Sequence, residues 1–162
     1  MTVEAKDHLY DLLSGFSTAM LVSHGGASGL HARPMAVAEL KAGAETYFAT
    51  DRRSPKIAEI ARDPNVLFTF QGRSEYASLA GTARVIEDRA VIERLWSEAW
   101  RVWFPGGKTD PNLVLLKVEP TSGEYWDNSG LEGLKYLFEG VKAVLQGERP
   151  RTDATQHAKV PI

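Results

Sequence analysis

The sequence of 162 residues contains no cysteine. This absence excludes disulfide bonds, thiolate metal sites and cysteine nucleophiles from the chemistry of the chain. The four histidines lie far apart, at positions 8, 24, 31 and 157, without the spacing of a metal-binding motif. We therefore predict no metal site and look for the function among other residue types.

An excess of charge of one sign is also missing, since 19 Lys and Arg residues nearly balance 21 Asp and Glu residues. The net charge of −2 gives no electrostatic reason to expect nucleic acid or an anionic membrane as a partner. No apolar run is long enough to cross a bilayer, and the first residues lack the basic-then-apolar order of a signal peptide. We expect a soluble cytoplasmic protein with no nucleic-acid or membrane partner.

Short apolar runs separated by turn residues fill most of the chain, and they predict more strands than helices. Because the connections between the first strands are too short for parallel crossovers, we predict a mainly β fold, an antiparallel β-barrel with peripheral helices. The strands are expected over residues 18–23, 30–40, 45–50, 66–70, 76–87, 113–118 and 123–126, with a break near Pro120, and the helices over residues 3–13, 54–62 and 89–103.

The character of the sequence changes after residue 128, and three segments are predicted. Residues 1–128 form the barrel domain. Residues 129–147 contain apolar positions at helical spacing, which predict a C-terminal helix packed on the same domain. Residues 148–162 are mostly polar and are expected to form an extended or partly disordered tail.

The segment 47–56 carries the strongest functional signal, because a predicted strand ends there and a helix begins at once. Ser54 is in position to cap the helix, and Pro55 suits its first turn. The backbone amides of Lys56 and Ile57 would then lack intrahelical partners and could bind an anion beside the Lys56 ammonium. With Thr50 at the strand end, this arrangement predicts a phosphate site, and the alternative is an ordinary surface turn.

Four other segments extend this signal along the chain, at residues 31–38, 63–70, 76–85 and 119–127. Their order and spacing resemble the flavin-binding split β-barrel family of pyridoxamine-phosphate-oxidase-like proteins, and in particular the bacterial general stress proteins that bind FMN. The resemblance covers residues 9–127. It implies an antiparallel split β-barrel of the FMN-binding type and a homodimer with two flavins at the subunit interface. Exposed apolar surface, expected at Tyr76, Leu79 and a tryptophan stripe, favours a dimer as well.

The resemblance also implies which residues bind the cofactor. The expected phosphate contacts are Arg33, Thr50, Ser54 and Lys56. The expected contacts of the flavin ring are Pro34, Met35, Ala49, Trp103 and Trp126, together with Tyr76 and Ser78 from across the two-fold interface.

Several of these residues have other interpretations, which the sequence leaves open. Arg33 could be a solvated strand residue paired with Glu39 or another neighbour, and Trp126 could be a core tryptophan. The aromatic residues between 96 and 104 are more typical of packing than of a cofactor site. The pair Arg52 and Arg53 could clamp a phosphate or form a solvated corner balanced by Asp51 and Asp63.

The sequence departs from true pyridoxamine-phosphate oxidases in two places. No basic segment follows Trp126, and Pro55 replaces the basic residue that precedes the phosphate lysine. Oxidation of vitamin B6 is therefore not expected.

The leading hypothesis is an FMN-dependent oxidoreductase that acts on a small-molecule redox substrate, with a role in stress response and without a catalytic side chain. The alternatives are a non-catalytic flavin carrier or sensor and a relative that uses FAD or the deazaflavin F420.

Overall fold

The computed structural model describes residues 3–129 and 156–162. The helices are α1 (Val3–Ser14), α2 (Pro55–Arg62) and α3 (Arg89–Leu95), and three short 3-10 helices cover Gly26–Ser28, Glu98–Val102 and Gly107–Thr109. The strands are β1 (Thr18–His24), β2 (Leu30–Leu40), β3 (Thr46–Asp51), β4 (Asn65–Gln71), β5 (Glu75–Ile86), β6 (Leu113–Asp127) and β7 (His157–Pro161).

The long strand β6 closes the sheet into an antiparallel barrel of six strands, ordered β3-β2-β1-β4-β5-β6. The first half of β6 pairs with β3, from Leu113 opposite Asp51 to Val118 opposite Thr46. Its other edge pairs with β5, and its second half adds β7 outside the closed ring. The predicted mainly β fold, an antiparallel split β-barrel with peripheral helices, is confirmed.

The predicted break near Pro120 is wrong, because β6 is continuous from Leu113 to Asp127. The irregularity lies in the register instead, which shifts between Ala80 and Gly81 and places Gly81 opposite Pro120. A Cβ atom at Gly81 would lie 2.3 Å from the Glu119 carbonyl oxygen. Glycine on β5 therefore makes room for the backbone of β6 and allows the strand to pass the proline.

The predicted helix over residues 89–103 is also too long. The α-helix ends at Leu95, since Trp96 and Ser97 both have ψ of 134°. The Ser97 hydroxyl then accepts a hydrogen bond from the Ala99 amide and begins the 3-10 helix Glu98–Val102. The apolar stripe is real, but two short helices carry it.

Two apolar clusters stabilise the fold. One fills the barrel, where the rings of Phe48 and Phe68 stack with centroids 4.3 Å apart, and includes Leu9 and Leu13 of α1. The other lies outside the barrel, where α3 and the following turns cover β3 and β6. Its buried members are Tyr47, Ile92, Trp100, Phe104, Leu113 and Leu115. This second cluster supports one wall of the site described below.

The predicted C-terminal helix lies outside the described residues. The last residues of the predicted extended tail form β7, which pairs with β6 from Trp126 opposite His157 to Ser122 opposite Pro161. Within the ranges 3–129 and 156–162, no helix has the length and apolar character needed to cross a membrane.

Candidate functional site

A cavity of about 540 Å³ opens where β2 and β3 diverge. The two strands pair from Leu40 opposite Thr46 to Val37 opposite Phe48, with a register shift between Val37 and Glu39. Two walls of the cavity come from the residues beyond this last pair, which are residues 34–36 on β2 and 49–51 on β3. The turns after α3 form a third wall. Its lining consists of Thr18, Pro34, Met35, Ala36, Ala49, Thr50, Asp51, Lys56, Trp100, Trp103 and Phe104. We call it the β2–β3 cavity.

The walls of the β2–β3 cavity are mainly apolar. Pro34 and Ala49 contribute small side chains, while the Met35 side chain is buried in the barrel core. Trp100 and Phe104 are buried in the second cluster, whereas Trp103 is 66% exposed. A fixed aromatic base and one exposed indole therefore face two strands with short side chains. This shape suits a flat ring system.

The polar end of the cavity is formed by Lys56 at the start of α2. Its Nζ donates to Thr50 Oγ1 at 2.9 Å and to Ser54 Oγ at 2.6 Å. Burial lowers the pKa of Lys56, and the nearby Arg33 guanidinium lowers it further. Within the part of the chain that the structure describes, no carboxylate lies within ion-pair distance of this ammonium. An anionic ligand would provide the missing counter-charge.

Arg33 lies beside this end and belongs to a network centred on Glu59. Arg33 Nη2 donates to Glu59 Oε2 at 2.8 Å, and Nη1 donates to Ser23 Oγ. Ser23 Oγ donates to Glu59 Oε2 at 2.5 Å, and His31 Nδ1 lies 2.7 Å from Glu59 Oε1. The hydrogen bond from Ser23 is the largest cause that lowers the pKa of Glu59 to about 2, helped by those from His31 and Arg33. The carboxylate is therefore ionised at neutral pH.

The structure brings together seven of the predicted site residues. Six of them line the β2–β3 cavity, namely Pro34, Met35, Ala49, Thr50, Lys56 and Trp103, and Ser54 is bonded to Lys56. Arg33 is not part of the lining, but its charge acts on Lys56. Arg33 pairs with Glu59 rather than Glu39, which binds Arg94 instead.

Three predicted ring contacts lie on another surface, the outer face of β4, β5 and β6. Tyr76 is opposite Trp126 across the strand pair, and the two side chains are 42% and 37% exposed. Trp126 also stacks on His157, with ring centroids 5.1 Å apart. Ser78 lines a smaller cavity on this face. We call this surface the β5–β6 face, and it is separate from the β2–β3 cavity within one chain.

Three local expectations need correction. The Ser54 hydroxyl makes no capping hydrogen bond, because it accepts one from Lys56 instead. The Ile57 amide is not free, since it donates to the Ser54 carbonyl oxygen at 3.0 Å. Leu79 lies in the barrel core rather than on an exposed surface.

The arginine pair after β3 forms a solvated corner, which is one of the two interpretations that the sequence left open. Arg53 binds Asp51 at 2.7 Å, and Arg52 pairs with Glu87 at 3.0 Å. Asp63 accepts from Asn65 and so balances neither arginine.

Glu59, Ser23 and His31 were not among the residues predicted from the sequence. Two signals point to them in retrospect. The hairpin around residues 25–29 places Ser23 opposite His31, and strand alternation puts His31 on the same side as Arg33. Glu59 follows Lys56 by one helical turn, so the two side chains project near each other.

Comparisons with known proteins agree with this architecture. The sequence profile of the family described as "Pyridoxamine 5'-phosphate oxidase like" matches residues 4–151. General stress protein 26 of Bacillus subtilis is 34% identical over 83 residues, which are 48% of this chain and 59% of that protein. The chain thus spans about three fifths of the length of this relative.

Two solved structures have the same fold. The general stress FMN/FAD binding protein of Xanthomonas citri is 32% identical, with a TM-score of 0.69 over 80% of this chain and 92% of its own. General stress protein 26 of Bacillus anthracis str. Sterne is 26% identical, with a TM-score of 0.69 over 76% of this chain and 94% of its own.

Proposed function

We propose that this chain, which belongs to the pyridoxamine 5'-phosphate oxidase-like family, binds FMN in the β2–β3 cavity and acts as a flavin-dependent oxidoreductase. The observation that carries the proposal is the partly buried ammonium of Lys56 at the end of an apolar cavity. Two hydroxyl groups hold it, and no carboxylate among the described residues forms an ion pair with it, although Asp51 and Glu59 are near enough to offset part of its charge. The description of the Xanthomonas citri neighbour as FMN/FAD binding supports the same ligand class.

The phosphate of FMN would lie against Lys56, Thr50 and Ser54, with Arg33 at its side. A phosphate monoester carries between one and two negative charges at neutral pH, so it matches two neighbouring cations. Charge-assisted hydrogen bonds to phosphate are stronger than neutral ones. We call these four residues the phosphate cradle. A single cradle of this kind favours FMN over FAD, which has no phosphate monoester.

The flavin ring would lie in the apolar part of the cavity. The volume of about 540 Å³ falls in the range that binds cofactor-sized molecules. Pro34 and Ala49 allow close approach from the strands, and Trp103 covers the open side. These residues would orient the ring and keep bulk water from one of its faces.

A bound flavin supplies the hydride and electron transfer, so the chain needs no nucleophile of its own. The carboxyl group at the cavity rim belongs to Asp51, and hydrogen bonds from Arg53 lower its pKa. Asp51 is therefore a carboxylate at neutral pH and does not serve as a proton donor. We infer that the redox partner is a small molecule and, from the stress-protein relatives, that the activity belongs to a stress response.

We further infer that two copies of the chain form the complete site. Tyr76, Ser78 and Trp126 lie on the β5–β6 face, away from the β2–β3 cavity of their own chain. Two exposed aromatic side chains opposite each other on a strand pair form the kind of patch that a partner covers. A two-fold dimer would bring this face of one chain to the flavin of the other.

Removal of the cradle's charges tests the binding site. The double variant Arg33→Ala/Lys56→Ala should bind FMN at least about a hundredfold more weakly, because it loses two charge-assisted contacts. Titration of the cofactor-free protein with FMN, followed by quenching of flavin fluorescence, measures this. Arg84→Ala is the control, since Arg84 is an exposed cation outside the cavity. Equal affinity in the wild-type protein and the double variant would place the phosphate elsewhere.

Reduction of the bound flavin separates an enzyme from a carrier. NADH or NADPH, added without oxygen, should bleach the visible absorbance of the FMN complex within about a second, as expected for a typical enzyme turnover rate. Dithionite serves as the positive control. Bleaching by dithionite but by neither nucleotide would contradict a nicotinamide-dependent oxidoreductase.

A further inference from the structure

Glu59 is a buried carboxylate at a position where an apolar side chain could also pack. Its side chain is 9% exposed, and it lies on α2 where the helix packs against the barrel. An apolar residue at such a position commonly stabilises a protein as well or better than an ion pair. Both carboxylate oxygens are nevertheless engaged, by Ser23 and Arg33 on Oε2 and by His31 on Oε1.

We propose that Glu59 is a positioning residue, which holds the guanidinium of Arg33 in the orientation that binds the ligand phosphate. This inference rests on the proposed function. It concerns how the cradle is assembled, and it assigns to Glu59, Ser23 and His31 a role that is separate from contact with the ligand.

Three side chains, those of Ser23, Arg33 and Glu59, form a closed ring of hydrogen bonds. Ser23 Oγ accepts from Arg33 Nη1 and donates to Glu59 Oε2, which also accepts from Arg33 Nη2. Such a closed ring permits one orientation of the guanidinium. The guanidinium has five N–H groups, so three remain for an anion after these two bonds within the described residues.

The charges of Arg33, Lys56 and Glu59 must also balance. Burial lowers the pKa of Lys56 most, and the repulsive charge of the Arg33 guanidinium lowers it further. Glu59 follows Lys56 by three residues on the same helix and offsets part of this repulsion. Without Glu59, we expect Arg33 to turn away from Lys56, and the ligand would have to restore its orientation on binding.

His31 fixes the other side of the carboxylate. Because Glu59 is ionised, it can only accept, so His31 Nδ1 carries the hydrogen of this bond. Gly25 packs directly against the imidazole, since a Cβ atom there would lie 2.7 Å from the ring. The plane of the carboxylate is therefore held from two strands, and the guanidinium with it.

Comparison of FMN with riboflavin tests the inference, since the two ligands differ only in the phosphate. Glu59→Gln keeps the shape of the side chain and removes its charge. We expect it to weaken FMN binding by about tenfold or more and to leave riboflavin binding within about twofold. The readout is the dissociation constant of riboflavin divided by that of FMN, and this ratio falls when the preference for FMN is lost. Glu119→Gln, an exposed carboxylate outside the network, should leave the ratio unchanged.

If Glu59 had a purely structural role, Glu59→Gln would weaken the binding of FMN and of riboflavin by the same factor. That outcome would overturn the inference. An unchanged affinity for FMN in Glu59→Gln would overturn it too. In the Arg33→Ala background, Glu59→Gln should cause no further loss of affinity for FMN. A further loss as large as in the wild-type background would show that Glu59 acts other than through Arg33, which would overturn the inference. If Glu59→Gln does not fold, Ser23→Ala breaks the same ring at its neutral member and should lower the ratio by about threefold.

The proposed function can fail separately. A wild-type protein that binds neither flavin contradicts the proposed function itself. A wild-type protein that prefers FMN, together with a Glu59→Gln variant that keeps the same preference, contradicts only the role of Glu59.

Discussion

Lys56 is the residue on which the flavin assignment depends. A cation at the N-terminal end of a helix faces an unfavourable dipole, and burial lowers its pKa as well. Its two hydrogen-bond partners are hydroxyl groups, which do not neutralise it. A partly buried cation without a directly bonded carboxylate among the described residues is typical of a site that binds an anion.

Glu59 leads to a prediction about pH. Its pKa falls from 4.5 to about 2 in the folded chain, so its contribution to stability is present above pH 4.5 and is lost as the pH falls towards 2. At pH 7 we expect Glu59→Gln to lower the free energy of unfolding by about 2 kcal/mol. The difference between wild type and variant should shrink between pH 5 and pH 2.

Urea unfolding at several pH values measures this difference. The exposed Glu119→Gln variant is the control and should stay close to wild type throughout. A difference that stays constant or grows on acidification would show that the Glu59 carboxylate is not stabilised by its partners.

Three of the four residues of the phosphate cradle could be predicted to lie together because they are neighbours in sequence. Thr50, Ser54 and Lys56 span seven positions at the end of one strand and the start of one helix, so local rules place them together. The contacts of Glu59 with Ser23 and Arg33 span 36 and 26 residues, and they depend on how α2 packs against the barrel. No local pattern specifies that packing.

The 3-10 helix Glu98–Val102 and the turn after it form the aromatic wall, and they lead to a prediction about two tryptophans. Trp100 is 6% exposed, so Trp100→Ala should lower the free energy of unfolding by about 3–5 kcal/mol. Trp103 is 66% exposed, so Trp103→Ala should change it by less than about 0.5 kcal/mol. The same Trp103→Ala variant should bind FMN several times more weakly.

Denaturant unfolding and the FMN titration check this pair of variants, each of which is the control for the other. A large loss of stability in Trp103→Ala would show that Trp103 belongs to the core. An unchanged affinity for FMN would show that Trp103 is not part of the flavin site.

Local patterns predicted most strands and helices closely. The alternation of apolar residues places β1 to β5 within about two residues of their observed ends, and helical spacing places α1 and α2 within one residue of theirs. The helix over residues 89–103 was predicted too long, because its apolar spacing continues through a break. Ser97 makes that break, and its hydroxyl bonds to the backbone of the next turn.

The assembly of two chains is a prediction about the whole molecule. We expect the protein in solution to have twice the mass of one 17.8 kDa chain, because the β5–β6 face exposes Tyr76 and Trp126. Sedimentation measures this mass. Tyr76→Glu should shift the mass to that of one chain and weaken FMN binding, since the partner's contribution to the site is lost.

Thr82→Glu is the matched control, because it makes the same change of one negative charge at an exposed neutral position farther along β5. A wild-type protein that binds FMN as a single chain would contradict the shared site.

The most direct test of the flavin assignment is to identify the small molecule that remains bound when the protein is purified. Mass spectrometry of the released ligand, with absorbance of the intact protein, should find FMN at up to one molecule per chain. A protein that is colourless, releases no flavin and does not quench added FMN would contradict the assignment.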